Sequence, residues 1–391
     1  MKHPIIYLLT LVSVLLLVSC DMEQMNPLEP GLQITKLTDG DGETSGQLRI
    51  MTQNVYVGTE VDEILTAAPD DVPFIAAELF QMLQATNFPE RADALARQIK
   101  RTKPHLIGLQ EISTVRFQMN GDYLDNLTVD AVDVLYDYLD LLLQALHNQN
   151  LHYEVAGFIE NFDVEIPMFT GFDEDGNPTF ADIRLTDYDV ILASEEVQYS
   201  NVFAKNYDYA IDIPELNLYI PRGYVAIDAE IRGQVYRFVN THLEDPSSDP
   251  EQLLPLQWAQ AYELVNVLAE EDDPVILVGD FNSPAQDGPT YTYMLSEGYQ
   301  DAWNYNRKVS EEPGYTYGHA PDLLNPTAEF YERIDFVFIK DGDKTITGPV
   351  VATVVGDKDR DRTISGLWPS DHGGVVVKFP LAPLFAEKLF K

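Results

Sequence analysis

Ser370-Asp371-His372-Gly373-Gly374 runs directly into Val375-Val376-Val377, a polar segment followed by a β-branched one. Three consecutive valines predict a strand. The Asp and His beside it fall where strands meet loops, which is where catalytic groups collect. Two upstream segments repeat the arrangement: Gly279-Asp280-Phe281-Asn282 follows the apolar run from Pro274 to Val278, and Arg333-Ile334-Asp335-Phe336 carries an acid among apolar residues. Each sets an acid or a His at the end of a β-branched or aromatic stretch. Carboxylates, an Asn and a His delivered from separate strand ends can hold a divalent metal, activate a water and stabilise a transferring phosphoryl group. The chemistry this implies is metal-dependent hydrolysis of a phosphoester.

Composition sets the frame. A chain of 391 residues that is 45% hydrophobic can bury a large core, and one large domain is the default expectation. Against 25 basic side chains stand 64 acidic ones, a net charge of −39. A surface that negative repels duplex nucleic acid and anionic lipid unless a metal or a local basic patch reverses the field. Cys20 is the single cysteine, so no disulfide can form within the chain.

Lys2, the apolar run from Ile5 to Val18 and the small-residue site Leu17-Val18-Ser19-Cys20 have the layout of an export signal. It resembles a bacterial lipoprotein signal, in which Cys20 becomes the lipid-modified first residue. The alternative is a transmembrane anchor, or a cleaved signal with an incidental cysteine, but the apolar run is shorter than the roughly 20 residues a spanning helix needs. Residues 1–19 therefore read as signal peptide and 20–46 as a lipidated tether, because Pro27, Pro30 and the Asp39-to-Gly46 run show no apolar periodicity. The catalytic body is expected over 47–380, with 381–391 as a C-terminal tail. The product would be a monomer held in the cell envelope, outside the cytoplasm, on a membrane through its lipid.

Within the body, a strand is predicted at Leu48 to Val55 and a helix at about Pro89 to Lys100. A short strand at His105 to Leu109 should end at Gln110-Glu111-Ile112. Apolar positions from Asp130 to His147, including Val134, Leu135, Tyr138, Leu141, Leu142 and Ala145, recur at helical spacing. Gly171 to Asn177 looks like a surface loop. Strands follow near Val190 to Ala193, Tyr224 to Ile231 and Gln234 to Asn240, the last two joined as a hairpin at Arg232-Gly233. A helix is expected at Pro255 to Leu268, and Pro274 to Val278 reads as a strand buried on both faces.

Asn54 after a strand, Gly108-Leu109-Gln110-Glu111, Asn240-Thr241-His242-Leu243, Gly279-Asp280-Phe281-Asn282, Ile334-Asp335 and Ser370-Asp371-His372 occur in this order. Together they resemble the motif order of the endonuclease/exonuclease/phosphatase superfamily over roughly residues 47 to 380. The resemblance implies an α+β fold like deoxyribonuclease I: a four-layer sandwich of two packed mixed β-sheets flanked by helices, with the metal site at the sheet ends. It implies Glu111 as principal ligand of Mg²⁺, or of Mn²⁺ or Ca²⁺, which take oxygen ligands. Asn54 contributes its amide to the metal or to a phosphate oxygen, and Asp371 lies in or next to the metal shell. By the same resemblance Asp280 orients or deprotonates the attacking water, Asn282 donates to the phosphoryl oxygens, Asp335 fixes the His372 imidazole, His242 acts as general acid, and Arg222 stands near the phosphate.

The chain also departs from that pattern. Glu195 follows Ser194 where the family commonly has a base, which weakens any inference of nucleic-acid backbone binding there. Asp357-Lys358-Asp359-Arg360-Asp361 imitates a calcium loop, yet Arg362 and Trp368 occupy the glycine and bidentate-acid positions, so a solvated charged turn is expected. Trp303, Tyr315 and Tyr317 are available to wall a pocket. The leading expectation is an exported, membrane-tethered phosphodiesterase or phosphatase for small or lipid-derived phosphoesters. A metal-dependent nuclease is the alternative, and a noncatalytic binding lipoprotein on the same fold the second.

Overall fold

The computed structural model describes residues 47–306, 313–341, 345–346, 350–380 and 385–386. The signal peptide, Cys20, the tether, and the tail from 381 to 391 apart from 385–386 lie outside the described residues.

Two sheets carry the fold. The strands are β1 (Gln47–Asn54), β2 (Leu106–Gln118), β3 (Asp133–Asp137), β4 (Tyr153–Phe172), β5 (Pro178–Ser194) and β6 (Gln198–Asn206). Next come β7 (Ile211–Ile213), β8 (Leu218–Ile220), β9 (Gly223–Ile231), β10 (Gln234–His242), β11 (Val275–Asp280) and β12 (Gln300–Asp301). Then follow β13 (Asp335–Lys340), β14 (Thr345–Ile346), β15 (Val351–Val355), β16 (Gly374–Pro380) and β17 (Phe385–Ala386). Among the described residues one sheet has the order β15-β16-β1-β2-β5-β4, with β3 on β2, and the other β12-β13-β11-β10-β9-β6. Both are mixed: β1 runs parallel to β2 and antiparallel to β16, and β11 runs parallel to β10 and antiparallel to β13.

Alternation along the central strands decides what each face buries. Ile50, Ile276, Val278, Phe238, Val375 and Val377 point between the sheets into one shared core. Their neighbours Met51, Ile107 and Val376 point outward under helices α2 (Phe88–Thr102) and α4 (Tyr138–Asn148). On the far side Val239, Leu277 and Phe338 pack under α5 (Pro250–Leu268) and α6 (Pro289–Ser296). The result is the four-layer sandwich of two mixed sheets flanked by helices. Phe238 is fully buried at its centre, and truncating such a residue to Ala costs about 3–5 kcal/mol. Asn240 pegs the sheets together: its Nδ2 donates to Leu109 O (2.9 Å) and Val190 O (3.1 Å), and its Oδ1 accepts from Gln110 Nε2 (2.6 Å). Gly108 is required there, because a Cβ would come within 2.6 Å of Asn240 Oδ1.

Several expectations change. The strand after His105 does not stop at Glu111; β2 continues to Gln118, with a register irregularity against β5 between Leu109 and Ile112. Val134 and Leu135 lie on strand β3 and are exposed, so the helical stripe begins only at Tyr138, where Asp137 caps α4. Pairing of β3 along β2 overrides the helical spacing upstream of that cap. Helix α5 starts at Pro250 with Asp249 as its cap and runs through Pro255. The stretch around Asp359 is a short 3₁₀ turn, but Asp361 in it is buried and paired with Arg101 rather than solvated. Helices α1 (Val72–Ala85) and the short α3 (Tyr123–Asn126) complete the list of α elements among the described residues.

Candidate active site

Strand register delivers the polar groups to one end of the sandwich. The parallel pairing of β10 with β11 sets His242 beside Asp280, and the antiparallel pairing of β11 with β13 sets Asp280 beside Asp335. The three form a row across one sheet end, and in-register neighbours present their side chains to the same face. Gly279 makes the approach possible: its φ is +153° and a Cβ would meet Thr241 O at 2.0 Å. From the other sheet, β1 ends at Asn54 opposite Gln110, one residue before Glu111. Glu111 adopts a left-handed φ of 59° at the β2 irregularity, a costly conformation for a non-glycine residue that persists only where the surroundings hold it. Its carboxylate accepts from Asn54 Nδ2 (2.8 Å) and Val57 N (2.6 Å).

These groups are linked across the sheets. Asn54 Nδ2 also reaches Asp280 Oδ2 at 3.1 Å, and Asn282 N donates to Asp280 Oδ1 at 2.9 Å. His372, in the turn just before β16, places Nδ1 2.9 Å from Asp335 Oδ2 and Nε2 3.6 Å from Asp280 Oδ2. His242 Nε2 lies 3.8 Å from that same Asp280 oxygen and 3.2 Å from Asn282 Nδ2. Arg222, immediately before β9, is buried; its guanidinium meets His242 Nδ1 at 3.3 Å and pairs with Glu244 at 3.1 and 3.3 Å.

Burial dominates the electrostatics. It pushes Asp280 up to about 8, helped by Asp335 and opposed by His372 and the hydrogen bonds from Asn282 and Asn54. Burial likewise raises Asp371 to about 7, against the nearby His372 charge and with Glu111 adding to the rise. For the two histidines burial favours the neutral ring. At His372 the carboxylates of Asp335, Asp280 and Asp371 overcome it and hold the imidazolium well above the ordinary range. At His242 the Arg222 and His372 charges add to it, and the ring is held well below.

The donor set fits a divalent cation. Glu111, Asp280 and Asp371 line one cavity, and burial holds the Asp280 and Asp371 carboxyls above the ordinary carboxylate range, so a bound cation would supply countercharge they lack. Among the described residues, the group of three donors whose ligand atoms come within 4.8 Å of one another is Asp280, Asp335 and His372. This differs from the set expected from sequence, Glu111, Asn54 and Asp371.

The cavity has a volume of about 700 Å³ and is lined by Glu111, Arg222, His242, Asp280, Asn282, Asp371 and His372, among others. Asn54 and Asp335 touch it from behind through their bonds to Asp280 and His372. Tyr317 lines it, its ring centroid 4.9 Å from that of His372, whereas Trp303 packs against Gly314 and Arg333 instead. Two site-supporting residues escape a reading by motif. Arg91 is fully buried and donates to the carbonyls of Val55, Tyr56, Thr86 and Pro369, tying the segment after Asn54 to the segment before Asp371. Glu244 holds Arg222. A two-residue turn at Arg232-Gly233 fixes the β9–β10 register so that Gly223 faces His242.

With this geometry in place, the sequence pattern of the Endonuclease/Exonuclease/phosphatase family matches residues 51–372. Among solved structures, the chain is similar to a mannosyl-6-phosphatase from Bacteroides thetaiotaomicron at 15% identity, TM-score 0.48, covering 84% of this chain and 98% of that one. It is similar to truncated TDP2 from Caenorhabditis elegans at 16% identity, TM-score 0.46, covering 87% and 98%. A family protein from Leptotrichia buccalis matches at 17% identity, TM-score 0.46, covering 84% and 98%. No curated protein matches the chain. The chain belongs to the Endonuclease/Exonuclease/phosphatase family.

Proposed function

We propose that this member of the Endonuclease/Exonuclease/phosphatase family hydrolyses phosphoesters with the aid of a divalent cation. The observation that carries the reading is that His242, Asp280, His372 and Glu111 line one cavity, with Asn54 and Asp335 bonded to Asp280 and His372 from behind. Glu111, Asp371 and Asn54 would hold the cation, which supplies Lewis-acid polarisation of a phosphoryl oxygen and countercharge to the carboxyls. Asp280 orients the attacking water and accepts its proton; a carboxylate more basic than usual suits that task near neutral pH. As the P–O bond to the leaving group breaks, Asn282 and the His372 imidazolium stabilise charge on the equatorial oxygens. Asp335 keeps that imidazolium charged and oriented.

The general-acid role expected for His242 needs a charged ring, which Arg222 opposes; a phosphate bound beside Nε2 supplies the field that favours protonation. Arg222 is engaged by Glu244, so its part is to set the state of His242 and to offer partial positive charge to the substrate. The net charge of −39 favours small or lipid-derived phosphoesters over duplex nucleic acid, and a nuclease is the reading to beat.

The deciding experiment assays the protein against phosphomonoesters, phosphodiesters, inositol phosphates and DNA, with Mg²⁺ and with chelator. Turnover of DNA alone would replace this reading with the nuclease one, and turnover unaffected by chelator or by Glu111→Gln would remove the metal. We further propose that Cys20 tethers the body to a membrane outside the cytoplasm. Membrane fractionation of wild type and Cys20→Ser tests it, and identical partitioning would end the lipoprotein reading.

A further inference from the structure

The catalytic cavity does not end at the polar groups. On β5, Asp187, Leu185 and Ile183 share one face by alternation, and the register pairs them with Phe162, Val164 and Ile166 on β4. Val115 on β2 extends the Leu185 row. Moving along these strands away from Glu111, the lining therefore changes from carboxylate to hydrocarbon within two rows, and all of these side chains line the same cavity. The facing wall is α1, where Ala76, Leu79, Phe80 and Leu83 recur at the spacing of one helical face. Ile64 from the 3₁₀ turn at Val61–Ile64 and Leu218 from β8 close the sides. Leu79, Val164, Ile166, Ile183 and Leu185 are only partly buried although they face inward.

We propose that this apolar arm receives the hydrocarbon chain of the substrate, so that the preferred substrate is a phosphoester of a long-chain aliphatic alcohol with its phosphorus at Asp280 and His372. The inference rests on the phosphoester-hydrolase reading above. Continuity of the arm with the catalytic groups commits it to a part of the substrate rather than to a separate ligand. Neither water nor a sugar alcohol would satisfy hydrogen bonds against Val115, Leu185, Val164 and Leu79.

The test is a series of 4-nitrophenyl alkyl phosphodiesters, methyl through octyl, assayed below their micelle concentrations with Mg²⁺. Each added methylene should raise kcat/KM about two- to fourfold until the arm is full. Filling the arm with Leu79→Trp, or separately with Ile183→Trp, should flatten that slope and leave the methyl ester within about threefold of wild type. Thermal melting identifies any variant that fails to fold, and the other variant then carries the comparison. A flat chain-length profile in wild type, or a slope unchanged in a folded variant, overturns the proposal. If neither these diesters nor the corresponding alkyl phosphomonoesters turn over, the hydrolase reading has failed, and calorimetry with octyl phosphate against methyl phosphate still decides the arm. Octyl phosphate binding at least tenfold tighter, with the difference lost in Leu79→Trp, supports it, and equal binding refutes it.

Discussion

His372 and His242 reach the same oxygen of Asp280 from different sheets, at 3.6 and 3.8 Å, yet the protein treats them oppositely. The region around His372 is built from carboxylates, with Asp335 at Nδ1. The region around His242 is built on a cation, with Arg222 at Nδ1 and Glu244 behind it. Both rings are buried, and burial alone would discharge both. What separates them is the sign of the charges around each ring, led by the Nδ1 partner, Asp335 at His372 and Arg222 at His242. One fold end thus holds a fixed positive charge and a neutral, responsive ring about 4 Å either side of a basic carboxylate, a pairing of unlike titratable groups that acid–base chemistry needs.

The sharpest way to break this comparison is to remove the charged member. His372→Ala should lose on the order of 10³ in kcat on every substrate, because it removes charge placed where the transition state develops it. Asp335→Asn should follow in the same direction, since the ring it leaves behind is no longer held charged. Single-turnover rates with an activated aryl ester and an unactivated alkyl ester check both. A loss under tenfold on either ester would show that the His372 charge is incidental.

The responsive member predicts a different signature. His242→Ala should cost on the order of 10² with a poor alkoxide leaving group and much less with 4-nitrophenolate, which needs no proton. Equal losses on the two esters would take leaving-group protonation away from His242.

How much of this contrast was legible beforehand depends on chain distance and on register. Asp335, Asp280 and His372 stand next to runs of Val, Ile and Phe, so strand signals and catalytic residue types coincide at the same positions. The two-sheet fold followed from the same motifs by resemblance, and its alternating core residues are visible in the strings around Ile50, Ile276 and Val375. Glu111 was legible as a residue but not as a conformation: nothing in Gln110-Glu111-Ile112 signals a left-handed bulge within a longer strand. Arg222 was legible by resemblance alone, and the identity of its counter-ion was not legible. Glu244 follows β10 by two residues, beyond any motif, and its pairing with Arg222 is a property of how the ends of β9 and β10 come together. The α1 stripe is equally plain at helical spacing, while the cavity that it faces is a property of tertiary packing.

Altering Arg222 tests the contrast directly. In an Arg222→Met/Glu244→Gln double variant the buried ion pair leaves together, which avoids stranding one uncompensated charge. Beyond burial, the Arg222 guanidinium is the main charge that holds the His242 ring below its ordinary range, so its removal should move the titration of that ring to higher pH. The acid limb of the pH–rate profile for the alkoxide ester should move the same way. Ring carbon chemical shifts against pH read this out, and an unmoved titration would assign the low value to burial alone.

The smallest effect lies outside the site and tests whether the same rule operates without catalysis. His105 and His319 are buried, and neither has a carboxylate at Nδ1: Arg49 N donates to His105 Nδ1 at 3.0 Å, and Asn325 Nδ2 stands 3.1 Å from His319 Nδ1. Burial lowers both from 6.5 to about 4; at His105 Arg49 adds to it against Glu196, and at His319 Gly356 O opposes it. A folded-state pKa below the unfolded one means that the unfolded chain binds more protons in that window, so the stability contribution is complete above about 6.5 and drains as pH falls towards about 4. Melting temperature followed from pH 7 to pH 4 should therefore fall, and His319→Gln should lessen the slope if the ring rather than its packing is responsible. Nearby carboxyls titrate in the same range, so the informative quantity is the difference in slope between wild type and variant. Identical slopes would show that His319 enters the unfolded state without taking up a proton, and the partner rule would then apply only where the cleft concentrates its charges.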